Sequence, residues 1–158
     1  MTDDFIYVAK IAYSTSVDGV GLRNSLYVSG CPLRCSECHN KAWWELKSGK
    51  PYSIQEVSDM LNSDDFNISI LGGEPLMQYR AIVKLCKLIK DHYPEKTIWL
   101  WSGYTLEEIQ AKFPDILTCI DVLVDGPFIK EKAEPNLLFR GSSNQRIINV
   151  KNIIFETV

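Results

Sequence analysis

Three short apolar runs, Ile68-Ser-Ile-Leu71, Thr97-Ile-Trp-Leu-Trp101 and Ile120-Asp-Val-Leu-Val124, show almost no polar alternation. That is the pattern of parallel strands covered on both faces. Helix signals separate them. Ile82, Val83, Cys86 and Ile89 share one helical face within Tyr79 to His92, and Thr105-Leu-Glu-Glu108 is a capping box opening a helix that ends near Pro114. A second capping box, Ser53-Ile-Gln-Glu56, opens a helix through about Asn62. Earlier in the chain, Phe5 to Ile11 and Leu22 to Ser29 read as strands joined by the turn-prone Ser14 to Gly21. Alternating strands and helices with short connections predict a parallel sheet with right-handed crossovers. A closed eight-fold βα barrel needs at least about 200 residues. The 158 residues therefore predict an α/β fold, a truncated, open-sided partial βα barrel of mostly parallel strands, in a single domain over 1–158.

In such sheets chemistry gathers beyond the carboxyl ends of the strands. The distinctive stretches of this chain fall there. Cys31-Pro-Leu-Arg-Cys35-Ser-Glu-Cys38 follows the strand ending at Ser29, and Gly72-Gly-Glu-Pro75 follows Leu71. Ser102-Gly-Tyr104 follows Trp101, and Asp125-Gly126 follows Val124.

Cys31, Cys35 and Cys38 form a C-x3-C-x2-C run that offers three thiolates to one compact centre. A structural metal centre normally takes four protein ligands, so three imply a cluster with one metal position open for another molecule. The alternative is a small zinc site in a binding module. Structural zinc usually draws ligands from two separated pairs, whereas Cys35 and Cys38 make the one C-x2-C here. Cys86 and Cys119 stand alone in apolar contexts and read as core thiols. Five cysteines at uneven spacing argue for metal ligation over a disulfide framework.

Paired glycines at a strand end let backbone approach a ligand closely, and Glu74 offers an acceptor to an ammonium. An amino acid head group suits Gly72, Gly73 and Glu74. Lys plus Arg number 17 against 20 for Asp plus Glu, and no basic stretch tracks a phosphate backbone, so nucleic acid is not an expected partner. The acidic start Met1-Thr-Asp-Asp and the lack of an apolar run near 18 residues point to a cytoplasmic chain without a membrane partner.

The C-x3-C-x2-C run followed by Gly-Gly-Glu-Pro resembles the radical S-adenosylmethionine superfamily. Trp99-Leu-Trp-Ser-Gly-Tyr104, Asp121-Val-Leu-Val-Asp-Gly126 and Arg140-Gly-Ser-Ser-Asn-Gln-Arg146 narrow the likeness. They are similar to stretches in the activating proteins of anaerobic ribonucleotide reductase. The resemblance implies a 4Fe-4S cluster on Cys31, Cys35 and Cys38, with the amino and carboxylate groups of S-adenosylmethionine on its fourth iron.

It further implies that backbone around Glu37, Cys38 and His39 lies beside the adenine, that Gly72, Gly73 and Glu74 hold the methionyl ammonium, and that Ser102 and Asp125 are candidates for its carboxylate or the ribose. For Ser102 and Asp125 the residues equally suit capping of the following turn. Arg140 and Arg146 suit a carboxylate of cofactor or partner, or a tie between loops. The implied reaction is reductive cleavage of S-adenosylmethionine to a 5′-deoxyadenosyl radical that takes hydrogen from a glycine of the reductase large subunit, fed by an external one-electron donor such as a flavodoxin. Cys38-His-Asn40 is closer to the pyruvate formate-lyase activating enzyme, which keeps another glycyl radical enzyme, or a small-molecule reaction such as that of 7-carboxy-7-deazaguanine synthase, as alternatives.

Overall fold

The computed structural model describes residues 3–30 and 45–153. Seven strands form one sheet: β1 Phe5–Thr15, β2 Arg23–Val28, β3 Lys50–Ser53, β4 Asn67–Gly72, β5 Ile98–Trp101, β6 Val122–Asp125 and β7 Arg146–Asn149, in the order β3-β1-β2-β4-β5-β6-β7. The central pairs β2–β4, β4–β5 and β5–β6 are parallel, whereas β1–β2, β1–β3 and β6–β7 are antiparallel. The result is a mixed α/β fold on an open, mostly parallel sheet.

Helices α1 Ile54–Leu61, α2 Tyr79–His92 and α3 Leu106–Lys112 match the sequence signals closely. Ser53 and Thr105 each accept from the amide three residues on, and Glu56 and Glu108 reach back to the cap amides. These reciprocal bonds fix where both helices begin. Val57 and Leu61 of α1, Ile82, Cys86 and Ile89 of α2 and Ile109 of α3 share one core with Ile6, Leu26, Ile68, Ile70, Ile98, Leu100 and Leu123 from the sheet. Each fully buried aliphatic contributes roughly 1.5–3 kcal/mol, so this packing far outweighs the caps.

Because side chains alternate across a strand, Arg23, Tyr27, Ser69, Trp99, Trp101 and Val124 point to the opposite face. That face is covered by connections rather than by helices. Gly19, in the β1–β2 connection, approaches Arg23 and Trp99 so closely that an added Cβ would lie 3.0 Å from both side chains. Phe139, in the β6–β7 connection, meets the Trp99 ring edge-on at a centroid distance of 5.4 Å. Both faces of the central strands are thus buried, as their unbroken apolar runs predict.

The wholly buried Arg23 closes this face at the amino ends of the strands. Its Nε donates to Ser69 Oγ at 2.8 Å, and its Nη2 donates to the carbonyls of Ile68 at 2.7 Å and Thr97 at 2.8 Å. Burial lowers its pKa to about 10. Nearby, the Tyr27 hydroxyl donates to Asp18, and burial holds that phenol well above its ordinary value.

Three elements depart from expectation. β1 runs on to Thr15 instead of ending at Ile11, because its antiparallel pairing with β2 continues to Thr15↔Arg23 through two register shifts. β3 was not anticipated, being four residues with a proline at Pro51, a composition that edge strands tolerate. Nor was β7, which folds back on β6 after a long connection.

Candidate functional site at the carboxyl ends of the parallel strands

The cysteine segment is fastened at both feet. Ser29 N–H donates to the Tyr7 carbonyl at 3.2 Å and its Oγ to the Leu46 carbonyl at 2.5 Å. A Cβ on Gly30 would lie 3.2 Å from Leu46 Cα, so backbone entering the segment lies against backbone leaving it. Gln78, 2% exposed, locks this region from beneath: its Oε1 accepts from Tyr7 N–H at 2.8 Å, and its Nε2 donates to the carbonyls of Tyr7 at 3.1 Å and Ser29 at 3.2 Å. Cys31, Cys35, Cys38, Glu37, His39 and Asn40, with Trp43 and Trp44, lie outside the described residues.

The Gly-Gly-Glu stretch is bonded directly to the first of these feet. Gly73 N–H donates to the Val28 carbonyl at 2.8 Å and Glu74 N–H to the Gly30 carbonyl at 2.7 Å. Glycine is required twice over. Gly72 has φ +113°, and a Cβ there would meet Val28 N at 2.5 Å; a Cβ on Gly73 would meet Gly30 O at 2.5 Å. Any larger residue would push the end of β4 away from the root of the cysteine segment.

Glu74 is 1% exposed and accepts from Leu76 N–H at 2.9 Å, Gly103 N–H at 2.6 Å and Ser102 Oγ at 3.0 and 3.1 Å. It therefore ties the end of β4 to the turn after β5. Burial pushes its pKa up to about 7 against the opposing pull of those hydrogen bonds, and no lysine or arginine pairs with it among the described residues. Ser102 also accepts from Tyr104 N–H at 3.1 Å, which orders the turn leading to α3.

Asp125, 1% exposed, is occupied by protein donors. It accepts from Leu106 N–H at 2.7 Å at the start of α3, from Arg146 N–H at 3.1 Å, and from the Arg146 guanidinium at 2.6–3.2 Å. Arg146 reaches on to Glu107 at 2.7 and 3.1 Å, a contact that lowers the Glu107 pKa. Arg140 donates from Nη1 to the Gln145 carbonyl at 2.9 Å. Both arginines thus organise the loop after β6.

Sequence reasoning brings Gly72, Gly73, Glu74 and Ser102 together correctly as neighbours. It missed Gln78 and Gly103. Gln78 shows no periodic or motif signal, and the role of Gly103 lies in its backbone amide. Cys86 and Cys119 are buried, far along the chain from the strand-end cluster; the Cys119 thiol donates to the Ile116 carbonyl at 3.4 Å, and interaction between the two thiols raises the Cys86 pKa and lowers that of Cys119.

The family model described as a 4Fe-4S single cluster domain matches residues 17–148, a span that takes in the three cysteines and the Gly-Gly-Glu stretch. That match favours iron and sulfide over the zinc reading of the cysteine loop. Among the relatives is an anaerobic ribonucleoside-triphosphate reductase-activating protein of Vibrio cholerae, 44% identical over 140 residues, covering 83% of this chain and 90% of the relative. Proteins of the same description occur in Escherichia coli, 38% identical over 85% of this chain and 93% of the relative, and in Enterobacteria phage T4, 34% identical over 83% and 86%. The chain belongs to the family of anaerobic ribonucleoside-triphosphate reductase-activating proteins.

Proposed function

We propose that this chain, over 1–158 as one radical S-adenosylmethionine domain in a partial barrel, activates an anaerobic ribonucleoside-triphosphate reductase. The donor set fits a 4Fe-4S cluster: Cys31, Cys35 and Cys38 supply three thiolates and leave one iron for the cofactor. A cluster held there would supply one electron for reductive cleavage of S-adenosylmethionine to methionine and a 5′-deoxyadenosyl radical, which would take hydrogen from a glycine of the reductase.

The observation that carries this reading is the bond from Glu74 N–H to the Gly30 carbonyl, which seats an amino acid cradle at the foot of the cysteine segment. A buried carboxylate that no lysine or arginine among the described residues pairs with suits an ammonium, whose charge would offset the desolvation that pushes Glu74 up. Gly72 and Gly73 bring backbone to the same place. Ser102 positions Glu74 and is a candidate to meet the methionyl carboxylate or a ribose hydroxyl, while Asp125, a candidate for the ribose, is held by Leu106 N–H and Arg146. Glu37, Cys38 and His39 would line the adenine. No described helix is long and apolar enough to cross a membrane. We place the chain in the cytoplasm, with a flavodoxin-like protein as electron donor and without nucleic acid or membrane as partner.

The test is anaerobic reconstitution with iron and sulfide, followed by assay of 5′-deoxyadenosine and of the glycine-centred doublet in the reductase spectrum. Cys31→Ala, Cys35→Ala and Cys38→Ala should each lower both by more than about a hundredfold. Retention of 5′-deoxyadenosine formation in any of the three would defeat the assignment.

A further inference from the structure

The connection between β6 and β7 folds into a tied structure with a composed tip. Ala133 bridges Ser142, Ser143 N–H donates to the Lys132 carbonyl at 2.8 Å, and Gln145 Oε1 accepts from the amides of Gly141 at 2.8 Å and Ser142 at 3.2 Å. Gln145 Nε2 and Asn144 Nδ2 anchor the base to the carbonyls of Gly126 at 3.0 Å and Pro127 at 2.8 Å. Trp101 Nε1 donates to the Phe139 carbonyl at 2.8 Å. A connection this long with so little regular structure, yet so fully bonded, is usually a binding element.

Its tip holds three consecutive side chains in unlike states. Leu138 is 72% exposed. Phe139 has φ +61°, a left-handed conformation that bulky residues rarely adopt, and its ring is pinned against Trp99. Arg140 has a buried Nε without a hydrogen-bond partner, and no carboxylate pairs with its guanidinium among the described residues. Arg140 also lines a cavity of about 280 Å³ with Phe128, Ala133, Glu134, Pro135 and Gly141. Leu138 thus stands out in solvent while Arg140 forms part of the cavity wall. Neither arrangement benefits the isolated chain, since an exposed leucine and an unneutralised guanidinium both gain by meeting a partner.

We propose that this tip is the docking element for the reductase: Leu138 enters an apolar recess of the partner, and Arg140 pairs with a carboxylate on a segment that occupies the cavity. This rests on the activating function proposed above. The connection starts one residue past Asp125, at the same strand ends as Gly30 and Glu74, so a partner docked on it would sit beside the proposed site. The bonded base leaves little order to be imposed on binding, which favours affinity. Glu134 at the rim opposes free anions while admitting a segment whose carboxylate is guided to Arg140 by the remainder of its chain.

The experiment compares wild type with Leu138→Asp, Leu138→Ala, Arg140→Gln and Arg140→Lys in the reconstituted full-length enzyme. Leu138→Asp should leave 5′-deoxyadenosine formation without reductase within about twofold, yet raise the KM for reductase in glycyl radical formation at least about tenfold. Leu138→Ala should give a smaller rise. Arg140→Gln should raise that KM at least about fivefold, with Arg140→Lys intermediate. Wild-type KM values for Leu138→Asp and Arg140→Gln would overturn the proposal, as would a changed self-association of Leu138→Asp at unchanged KM, which would assign the tip to a second copy of this chain. Failure of the wild type to form any glycyl radical would instead strike the activating function itself, and the docking role with it.

Discussion

Glu74 and Gly30 are joined by a backbone hydrogen bond of 2.7 Å, which welds the Gly-Gly-Glu stretch of β4 to the residue that opens the cysteine segment. Two stretches far apart in sequence are therefore one structural unit. Disturbing either stretch displaces the other.

Gly73→Ala tests that weld. An added Cβ 2.5 Å from the Gly30 oxygen cannot be relieved by side-chain rotation, so backbone must move. A loss of about 1–3 kcal/mol in urea unfolding is expected, the usual cost of overpacking. Iron retained after reconstitution should fall as well, and unchanged stability with full iron content would contradict the close approach.

Glu74→Gln probes the buried carboxyl. Its folded pKa, about 7, lies above the ordinary carboxylate value, so the folded state holds its proton more tightly than the unfolded chain does. The stabilising contribution is full below pH 4.5 and is lost as pH rises through 7. Stability of the wild type should thus decline over that window by on the order of 3 kcal/mol relative to Glu74→Gln, from 1.36 kcal/mol per pKa unit. Parallel pH–stability curves for the two proteins would show that Glu74 is not held up.

Arg146→Met and Glu107→Gln separate a buried ion pair from an exposed one. Asp125 is 1% exposed and relies on Arg146, whereas Glu107 is 65% exposed. Removing Arg146 leaves a buried carboxylate with backbone donors alone and should cost about 2–3 kcal/mol, at the low end for such pairs because the arginine is half-exposed. Glu107→Gln should cost less than about 1 kcal/mol. Equal losses in chemical denaturation would refute this division.

Trp101→Phe removes the indole donor to the Phe139 carbonyl while keeping an aromatic ring. A loss of about 1 kcal/mol is expected from one hydrogen bond. Hydrogen exchange should quicken at amides of residues 137–145 while those of β5 stay protected, and uniform exchange across both would contradict a local tether.

The helices were legible because their starts are written in local chemistry. Ser53 and Thr105 each bring a glutamate three residues on, and nothing distant alters that bond. The parallel strands were equally legible, since both faces are buried and their apolar runs are unbroken. β7 was hidden because Arg146 to Asn149 alternates weakly and gains its partner from across a long connection. In the site, glycines and cysteines announce themselves through composition. Gln78 does not, because a glutamine that satisfies three backbone groups beneath a strand end looks in sequence like any other. Asp125 was visible as a strand-end acid, but its bonds to Leu106 and Arg146 depend on chain segments that only the fold brings together.

The closure of residues 30 and 46 against one another has a thermodynamic consequence. Bringing the ends of a flexible segment together carries an entropic cost that grows with the logarithm of its length, and here the sheet meets that cost through Ser29, Leu46 and Gln78. On the cysteine ligation proposed above, a peptide copy of residues 30–46 should hold iron far more weakly than the intact chain, although it carries Cys31, Cys35 and Cys38.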